Sequence, residues 1–201
     1  MAEMRESFIV GEDDLPISNK FIWFMNIELN QHEDLTNIIT LSAFNYVNFP
    51  KKYIWDCYFT NRTNPWGWAT WSKKIKDVDW ELANKEMFLS NHKEMKSINA
   101  WKSERTRMLK QTIEGKVRAW DIRLDYTHFK RNLITAYSCK NLVINNGFNN
   151  ADATNTTGFY LFKVNLQEFV TLNLQLPKFL FLGIQVLKEV SFLENLYISE
   201  S

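Results

Sequence analysis

The strongest constraint on the fold is an early alternation of short β-rich segments with a segment of helical periodicity. Residues 8–10 (FIV) are apolar and lead into Gly11 and three acids, which is typical of a strand ending in a loop. After Ser18, which suits a helix N-cap, side chains recur at the spacing of one helix face: Phe21, Met25, Leu29 and His32. Residues 37–44 (NIITLSAF) are again β-rich. This alternation predicts an α/β fold with a mixed sheet flanked by helices.

The remaining pattern extends this prediction. Residues 103–114 fit a helix closed by Gly115, and residues 119–131 fit another. Residues 133–137 and 141–144 have the composition of short strands, whereas residues 50–72 are typical of a loop. No linker-like run of Gly, Ser or Pro appears. We expect one domain over residues 1–160 and a C-terminal extension, residues 161–201, packed on it.

Composition excludes several classes of protein. The chain is 45% hydrophobic and 23% charged, which excludes disorder, and its net charge of +1 gives no reason to expect a nucleic-acid partner. Two cysteines and three scattered histidines form neither a disulfide framework nor an HExxH zinc motif. The longest apolar stretch, residues 179–187, is too short for a membrane span, and we see no signal peptide. We therefore expect a cytoplasmic protein, and a location at the inner face of a membrane is compatible with this expectation.

Three consecutive carboxylates, Glu12, Asp13 and Asp14, follow the first predicted strand. Hard divalent cations such as Mg²⁺ and Mn²⁺ take oxygen ligands and commonly share one or two carboxylates with substrate phosphates. Three acids in a solvated turn or at a helix N-terminus are also commonplace. On these residues alone, a metal site and a solvated turn both remain open.

A tryptophan-rich segment, residues 65–71 (PWGWATW), is the second unusual feature. Indole rings are costly to expose, so they either pack in a core or form a platform for sugar rings and bases. Gly67, between Trp66 and Trp68, indicates a backbone that bends or is closely approached. We expect Trp66 and Trp68 to lie beside the acidic residues and Trp71 to point into the core.

Taken together, these segments resemble the C-terminal half of bacterial GT-A type nucleotide-sugar glycosyltransferases and, more distantly, N-acetylglucosaminyltransferase I. The resemblance covers about residue 7 to residue 157. The matching residues are Ile9 to Leu15 (IVGEDDL), Ser18, Phe21, Phe24-Met25-Asn26, Leu41-Ser42-Ala43, Arg62, Trp66 to Trp71 (WGWATW), Arg107-Met108-Leu109, Glu114-Gly115-Lys116, Ala119-Trp120, Ile122-Arg123, Leu142-Val143, Asn145, Gly147-Phe148 and Ala153-Thr154.

The resemblance implies specific roles for these residues. The acidic segment corresponds to the family's DxD-type motif, so Asp14 is the implied ligand of Mn²⁺ or Mg²⁺, and Glu12 and Asp13 are implied to contact the nucleotide-sugar. The loop of Trp66, Gly67 and Trp68 is implied to line the donor and acceptor pocket. The implied activity is the transfer of a sugar from a nucleotide-sugar donor to a glycan or lipid-linked acceptor, as in polysaccharide biosynthesis.

Two departures from the family pattern affect the chemistry. Relatives usually carry an acid just before the tryptophan of residues 117–120 (VRAW), where an inverting enzyme needs a general base. Here Glu104, Asp121 or Asp125 would have to substitute, although solvated helix charges are the alternative interpretation of Asp121 and Asp125. Relatives also commonly have a histidine where this chain has Asn155, a weaker metal ligand. The catalytic base therefore stays unassigned at this point.

A GT-A domain begins with a nucleotide-binding half that takes on the order of a hundred residues. Only eleven residues precede Glu12, so we expect a truncated or degenerate domain that is inactive as an isolated chain. Its expected partners are a complementary N-terminal half or a second copy of itself.

Two rival interpretations belong to other classes of protein. In a non-catalytic carbohydrate-binding or interaction module, the tryptophan loop would be the platform and the acids would bind no metal. In a membrane-surface protein, the apolar residues 172–193 would contact lipid, but Pro177 and Gly183 interrupt them, which favours a packed element.

Overall fold

The structure is a computed structural model that describes residues 6–45, 49, 53–98, 105–145, 166 and 174. In chain order, the elements within these residues are β1 (Ser7–Val10), α1 (Phe21–Gln31), β2 (Ile38–Ser42), β3 (Cys57–Thr60), β4 (Trp68–Trp71), α2 (Ser72–Ile75), α3 (Lys85–Ser90), α4 (His92–Ile98), α5 (Arg105–Ile113), α6 (Trp120–Arg131) and β5 (Ile134–Ser138).

The five strands form one mixed sheet in the order β1-β4-β2-β5-β3. β4 pairs antiparallel with both β1 and β2, β2 runs parallel to β5, and β5 pairs antiparallel with β3. Helices pack on the two faces of this sheet. The predicted α/β class, with a mixed sheet and flanking helices, is confirmed.

The prediction of a loop over residues 50–72 is wrong, because this segment contains β3 and β4. All four residues of each strand are buried. A strand covered on both faces shows no alternation of polar and apolar residues, so its sequence carries no period-two signal. The strand predicted over residues 141–144 is also wrong, since in the described residues it forms only an isolated antiparallel bridge between Val143 and Ile17.

Helix α1 covers one face of the sheet. Its predicted apolar face is confirmed, because Phe21, Met25, Leu29 and the following His32 are all buried. The cluster beneath it, here called the α1 core, includes a residue from every strand: Ile9, Leu41, Phe59, Trp71 and Ala136. Trp71 is 2% exposed, which confirms its predicted place in the core.

Helix α6 covers the opposite face and packs against a second cluster, here called the α6 core: Val10, Ile39, Trp68, Leu124 and Leu133. The pairing of β2 with β5 is irregular between Ile38 and Thr40. Such a bulge adds a residue to one strand. Ile39 and Thr40 consequently both reach the α6 side, where the Thr40 hydroxyl lies 3.3 Å from Nε2 of His128.

The two predicted helices in the second half of the chain are confirmed as α5 and α6, with small differences at their ends. Beyond the end of α5, Gly115 has a φ of +71°, as expected of the glycine that closes a helix. α6 ends at Arg131 and is followed by Asn132, whose φ of 52° and bonded backbone N–H form a left-handed cap.

The C-terminal extension predicted over residues 161–201 lies outside the described residues, apart from positions 166 and 174. Leu174 is partly buried against the α1 core. No helix in the described part of the chain has the length and apolar character needed to cross a membrane.

Buried His128 makes the stability of the fold pH-dependent. Burial, aided by the charge of Arg105, lowers the pKa of His128 to about 3, whereas an unfolded histidine titrates near 6.5. The unfolded chain therefore binds a proton that the folded chain does not. We expect this contribution to stability to be complete above about pH 6.5 and to be lost toward pH 3, by up to about 1.4 kcal/mol per pH unit.

Urea unfolding between pH 7 and pH 5 would measure this loss. His128→Gln should flatten the decline, while His92→Gln, at an exposed position, should leave it unchanged. An equal decline in the wild type and in His128→Gln would contradict the assignment.

Candidate functional site

The acidic loop leaves the sheet at the edge where β4 begins. In the antiparallel pairing of β1 with β4, Val10 lies opposite Trp68, so the residues after Val10 emerge beside the residues before Trp68. Glu12 and its two acidic neighbours are exposed, and the backbone N–H of Leu15 donates to the Glu12 carbonyl at 3.3 Å. Leu15 is buried and so anchors the loop to the body of the protein.

An aromatic stack joins this edge to helix α6. The rings of Trp68 and Trp120 stack with centroids 5.2 Å apart, and Phe8 meets Trp68 edge-on at 6.1 Å. Trp68 is 6% exposed, whereas Trp120 is 39% exposed, so the outer ring presents free surface. The stack therefore holds the first residue of α6 against β4, close to where the acidic loop begins.

Asp121 follows Trp120 and adds a fourth carboxylate to the acidic loop. Although the Glu12 side chain is exposed, partial desolvation of its carboxyl group raises its pKa, and the charges of Asp14, Asp121 and Asp13 raise it further. The position of α6 therefore concentrates negative charge that the sequence separates by about a hundred residues. A bound cation would relieve this repulsion.

Asp121 itself is half-buried. Burial and the neighbouring charge of Asp125 raise the pKa of Asp121, while backbone N–H groups at the start of α6 act in the opposite direction. A carboxylate with a raised pKa is a stronger base than an ordinary aspartate. Of the two candidate bases in the described residues, Asp121 and Asp125, Asp121 is the one whose charge reaches the acidic loop.

Asp125 has a structural role instead. Its carboxylate pairs with Nε of Arg105 at 2.6 Å and accepts hydrogen bonds from the backbone N–H and the hydroxyl of Thr63. Both charged side chains are buried, so the interpretation of Asp125 as a solvated helix charge is wrong. These bonds occupy both carboxylate oxygens. The third acid considered as a base, Glu104, lies outside the described residues, as does Asn155.

Trp66 and Trp68 occupy opposite faces of the sheet. The Trp66 ring packs edge-on against Phe44 at 4.8 Å, next to the α1 core, while Trp68 belongs to the α6 core. Gly67 separates them with a φ of +59°, and its close neighbours are Val143 and Phe21. The structure thus brings Trp68 to the strand that carries the acids and places Trp66 with the core.

Trp120 is the site residue that sequence reasoning missed. It appeared only among the matching residues of the family, with no role attached. The sequence feature that could have indicated Trp120 is its place at the start of a predicted helix, directly before the acidic residue Asp121. The partner ring Trp68 is distant in sequence, so only the packed structure pairs them.

The loop carboxylates suit a hard cation. Among the described residues, they do not form a convergent group of three ligands. Mg²⁺ needs no such cage, because it keeps several waters and binds through one or two carboxylates together with substrate phosphates. The exposed, oxygen-only donors of Glu12, Asp13 and Asp14 fit that mode of binding.

No protein-family model matches this chain, and no curated protein matches it significantly. The resemblance to GT-A glycosyltransferases therefore rests on the motif residues given above.

Gly67 allows a test of the close packing beside the site. Gly67→Ala would place a Cβ 2.6 Å from Cγ1 of Val143, at a φ of +59°. Gly115→Ala is the matched control, because its φ is +71° but no heavy atom lies within 4 Å. In both variants we expect the strained backbone to lower the free energy of unfolding by about 1 kcal/mol. In Gly67→Ala, overpacking against Val143 should lower it by about 1 to 3 kcal/mol more. Equal losses in urea unfolding would show that the contact with Val143 is unimportant.

The two aspartates of α6 should respond differently to neutralisation. Asp125→Asn removes the carboxylate charge that pairs with buried Arg105 at 2.6 Å, and we expect a loss of about 3 to 5 kcal/mol in the free energy of unfolding. Asp121→Asn removes a carboxylate whose neighbours repel it, so stability should be unchanged or slightly higher. Chemical denaturation of both variants measures the contrast. A comparable loss in Asp121→Asn would assign that residue a structural role.

Proposed function

We propose that this chain is a glycosyltransferase-like protein of the GT-A type, truncated and inactive as an isolated chain, that acts on a nucleotide-sugar donor and a glycan or lipid-linked acceptor when a complementary nucleotide-binding half completes it. The observation that carries the proposal is the meeting of three features at one sheet edge: the acidic loop, Asp121 and the stack of Trp120 on Trp68. The family resemblance is the basis for the type of reaction that we propose at this edge, the transfer of a sugar.

The acidic loop is the proposed donor site. Asp14 would hold Mn²⁺ or Mg²⁺, and Glu12 and Asp13 would contact the nucleotide-sugar. When bound, the metal ion supplies neutralising charge for the departing diphosphate. The crowding of carboxylates, which together with burial raises the pKa of Glu12, supports this assignment, because a bound cation would relieve their mutual repulsion.

Asp121 is the proposed general base. It lies in the first turn of α6, close enough to the acidic loop for its charge to raise the pKa of Glu12. A base in this position would accept the proton of the acceptor hydroxyl as that oxygen attacks the sugar. The raised pKa of Asp121 makes it better suited to that task than an exposed aspartate.

Trp120 is the proposed acceptor platform. Its ring is 39% exposed and is held from beneath by Trp68, so one aromatic surface remains fixed and accessible beside Asp121. Sugar rings stack well on such surfaces. An acceptor lying on Trp120 would bring a hydroxyl toward the proposed base.

The edge of the sheet at β1 is the proposed docking surface for a complementary nucleotide-binding half or for a second copy. β1 is the terminal strand of the sheet formed by the described residues, so its outer backbone groups have no strand partner there. Phe8, on β1 itself, is a large apolar side chain that is 36% exposed. Open edges with apolar neighbours favour association with another strand.

Mn²⁺ binding would test the donor site. With a nucleoside diphosphate present, we expect paramagnetic Mn²⁺ to broaden the indole N–H signals of Trp68 and Trp120 in NMR spectra of the full chain. Asp14→Ala should abolish this broadening because it removes the proposed ligand. Glu86→Gln removes an exposed acid on α3 and serves as the control. Unchanged broadening in Asp14→Ala would overturn the metal assignment.

The same variants separate this proposal from a carbohydrate-binding module. Metal-dependent hydrolysis of a nucleotide-sugar, lost in both Asp14→Ala and Asp121→Asn, would favour a transferase. Glycan binding that persists in Asp14→Ala and in a metal chelator, but is lost in Trp120→Ala, would favour a binding module.

A further inference from the structure

A second group of polar side chains lies inside the core, away from the acidic loop. Glu28 and His32 are four residues apart on α1, and Cys57 begins β3 at the far edge of the sheet from β1. Their exposures are 0%, 1% and 0%. Charged and polar groups are rarely buried this completely unless they are paired or bind a metal.

The three side chains converge. Nε2 of His32 lies 3.0 Å from Oε2 of Glu28, and one ligand atom from each of the three residues lies within 4.8 Å of the others. Within the described residues, Oε1 of Glu28 and Nδ1 of His32 have no hydrogen-bond partner. Buried polar atoms nearly always have a hydrogen-bond partner. The Glu28–His32 hydrogen bond therefore does not account for the burial of the other polar atom on each of these side chains.

We propose that Glu28, His32 and Cys57 form a buried site for a borderline transition-metal ion, with Zn²⁺ as the best fit. Carboxylate oxygen, imidazole nitrogen and thiolate sulfur are the ligands that Zn²⁺ takes in proteins. The soft sulfur ligand disfavours Mg²⁺ and Mn²⁺, so this site differs in chemistry from the acidic loop. The inference does not depend on the proposed function.

Charge balance supports a divalent ion. An ionised carboxylate, a thiolate and a neutral imidazole carry two negative charges, which one Zn²⁺ cancels within the apolar α1 core. Without metal, burial and the nearby Glu28 raise the pKa of the Cys57 thiol well above its ordinary value, so the thiol stays protonated. Binding would therefore release the thiol proton to solvent as the metal–sulfur bond forms.

The geometry needs only a small adjustment. Ligand atoms around a tetrahedral zinc lie about 3.5 Å apart, given metal–ligand distances of about 2.0 to 2.3 Å. A pair of ligand atoms 4.8 Å apart would therefore close by about 1 Å, whereas Oε2 of Glu28 and Nε2 of His32, at 3.0 Å, would move apart by about 0.5 Å. His32 is the C-cap of α1, and its backbone is held by hydrogen bonds to the Glu28 carbonyl and from Lys74, so the adjustment falls on the side chains. The bound ion would join the end of α1 to β3.

Cobalt substitution tests the site. Because the group is fully buried, the full chain would be refolded from denaturant with Co²⁺, which reports thiolate ligation through a near-ultraviolet charge-transfer band. We expect one Co²⁺ per chain, displaced by Zn²⁺, and a higher Tm with Zn²⁺ than in chelator. Cys57→Ser should lose the band, and His32→Gln should weaken Co²⁺ binding. Cys139→Ser removes the other cysteine and should retain the band.

Failure of the proposal has distinct signatures. A wild-type chain that refolds without binding stoichiometric Co²⁺, or a band lost in Cys139→Ser and kept in Cys57→Ser, would overturn it. The wild-type stoichiometry decides the question even where a variant fails to fold, as checked by circular dichroism. Asp14→Ala should keep the cobalt band, so loss of the donor-site metal and loss of this site are distinguishable.

Discussion

The antiparallel pairing of β4 with β1 on one side and β2 on the other is the interaction on which the rest of the structure depends. It places Trp68 opposite both Val10 and Ser42, so the acidic loop, the Trp-Gly-Trp segment and the end of β2 meet at one edge. Backbone hydrogen bonds on both sides of β4 set this register, and a shift of one residue would exchange the faces of Trp68 and Trp71. The proposed site is therefore built where the terminal strand β1 joins β4, a strand that is paired on both sides.

A buried ion pair helps to fix the position of helix α6 relative to the acidic loop. Arg105 on α5 and Thr63 after β3 both bind Asp125, which ties α6 to the segment between β3 and β4. This attachment, together with the stack of Trp120 on Trp68, fixes the first turn of α6 beside the acidic loop. A buried charge pair adds little net stability but tolerates few alternative positions, because separating the two charges inside a protein is costly. The position of Asp121 follows from these contacts.

Local patterns were sufficient for part of the fold and of the site. The face of α1, the strand before the acidic loop, the helix end at Gly115 and the burial of Trp71 were predicted from spacing and residue type. The strands β3 and β4 were missed because every residue in them is buried, which removes the alternation by which a strand is recognised. The acids of the loop were recognisable as a group because they are consecutive. Residues that follow one another in the chain are close together whatever the tertiary fold.

By itself, the sequence determined the α/β class, the amphipathic α1 and the acidic loop, since these depend on periodicity and on neighbouring residues. Only the tertiary structure decided that Asp121 joins that loop, that Asp125 is buried with Arg105, and that Glu28, His32 and Cys57 converge. Each of these groupings joins different secondary-structure elements, so its geometry depends on sheet order and helix packing. Glu28 and His32 share a helix face by spacing alone, but Cys57 reaches them only because β3 forms beneath α1.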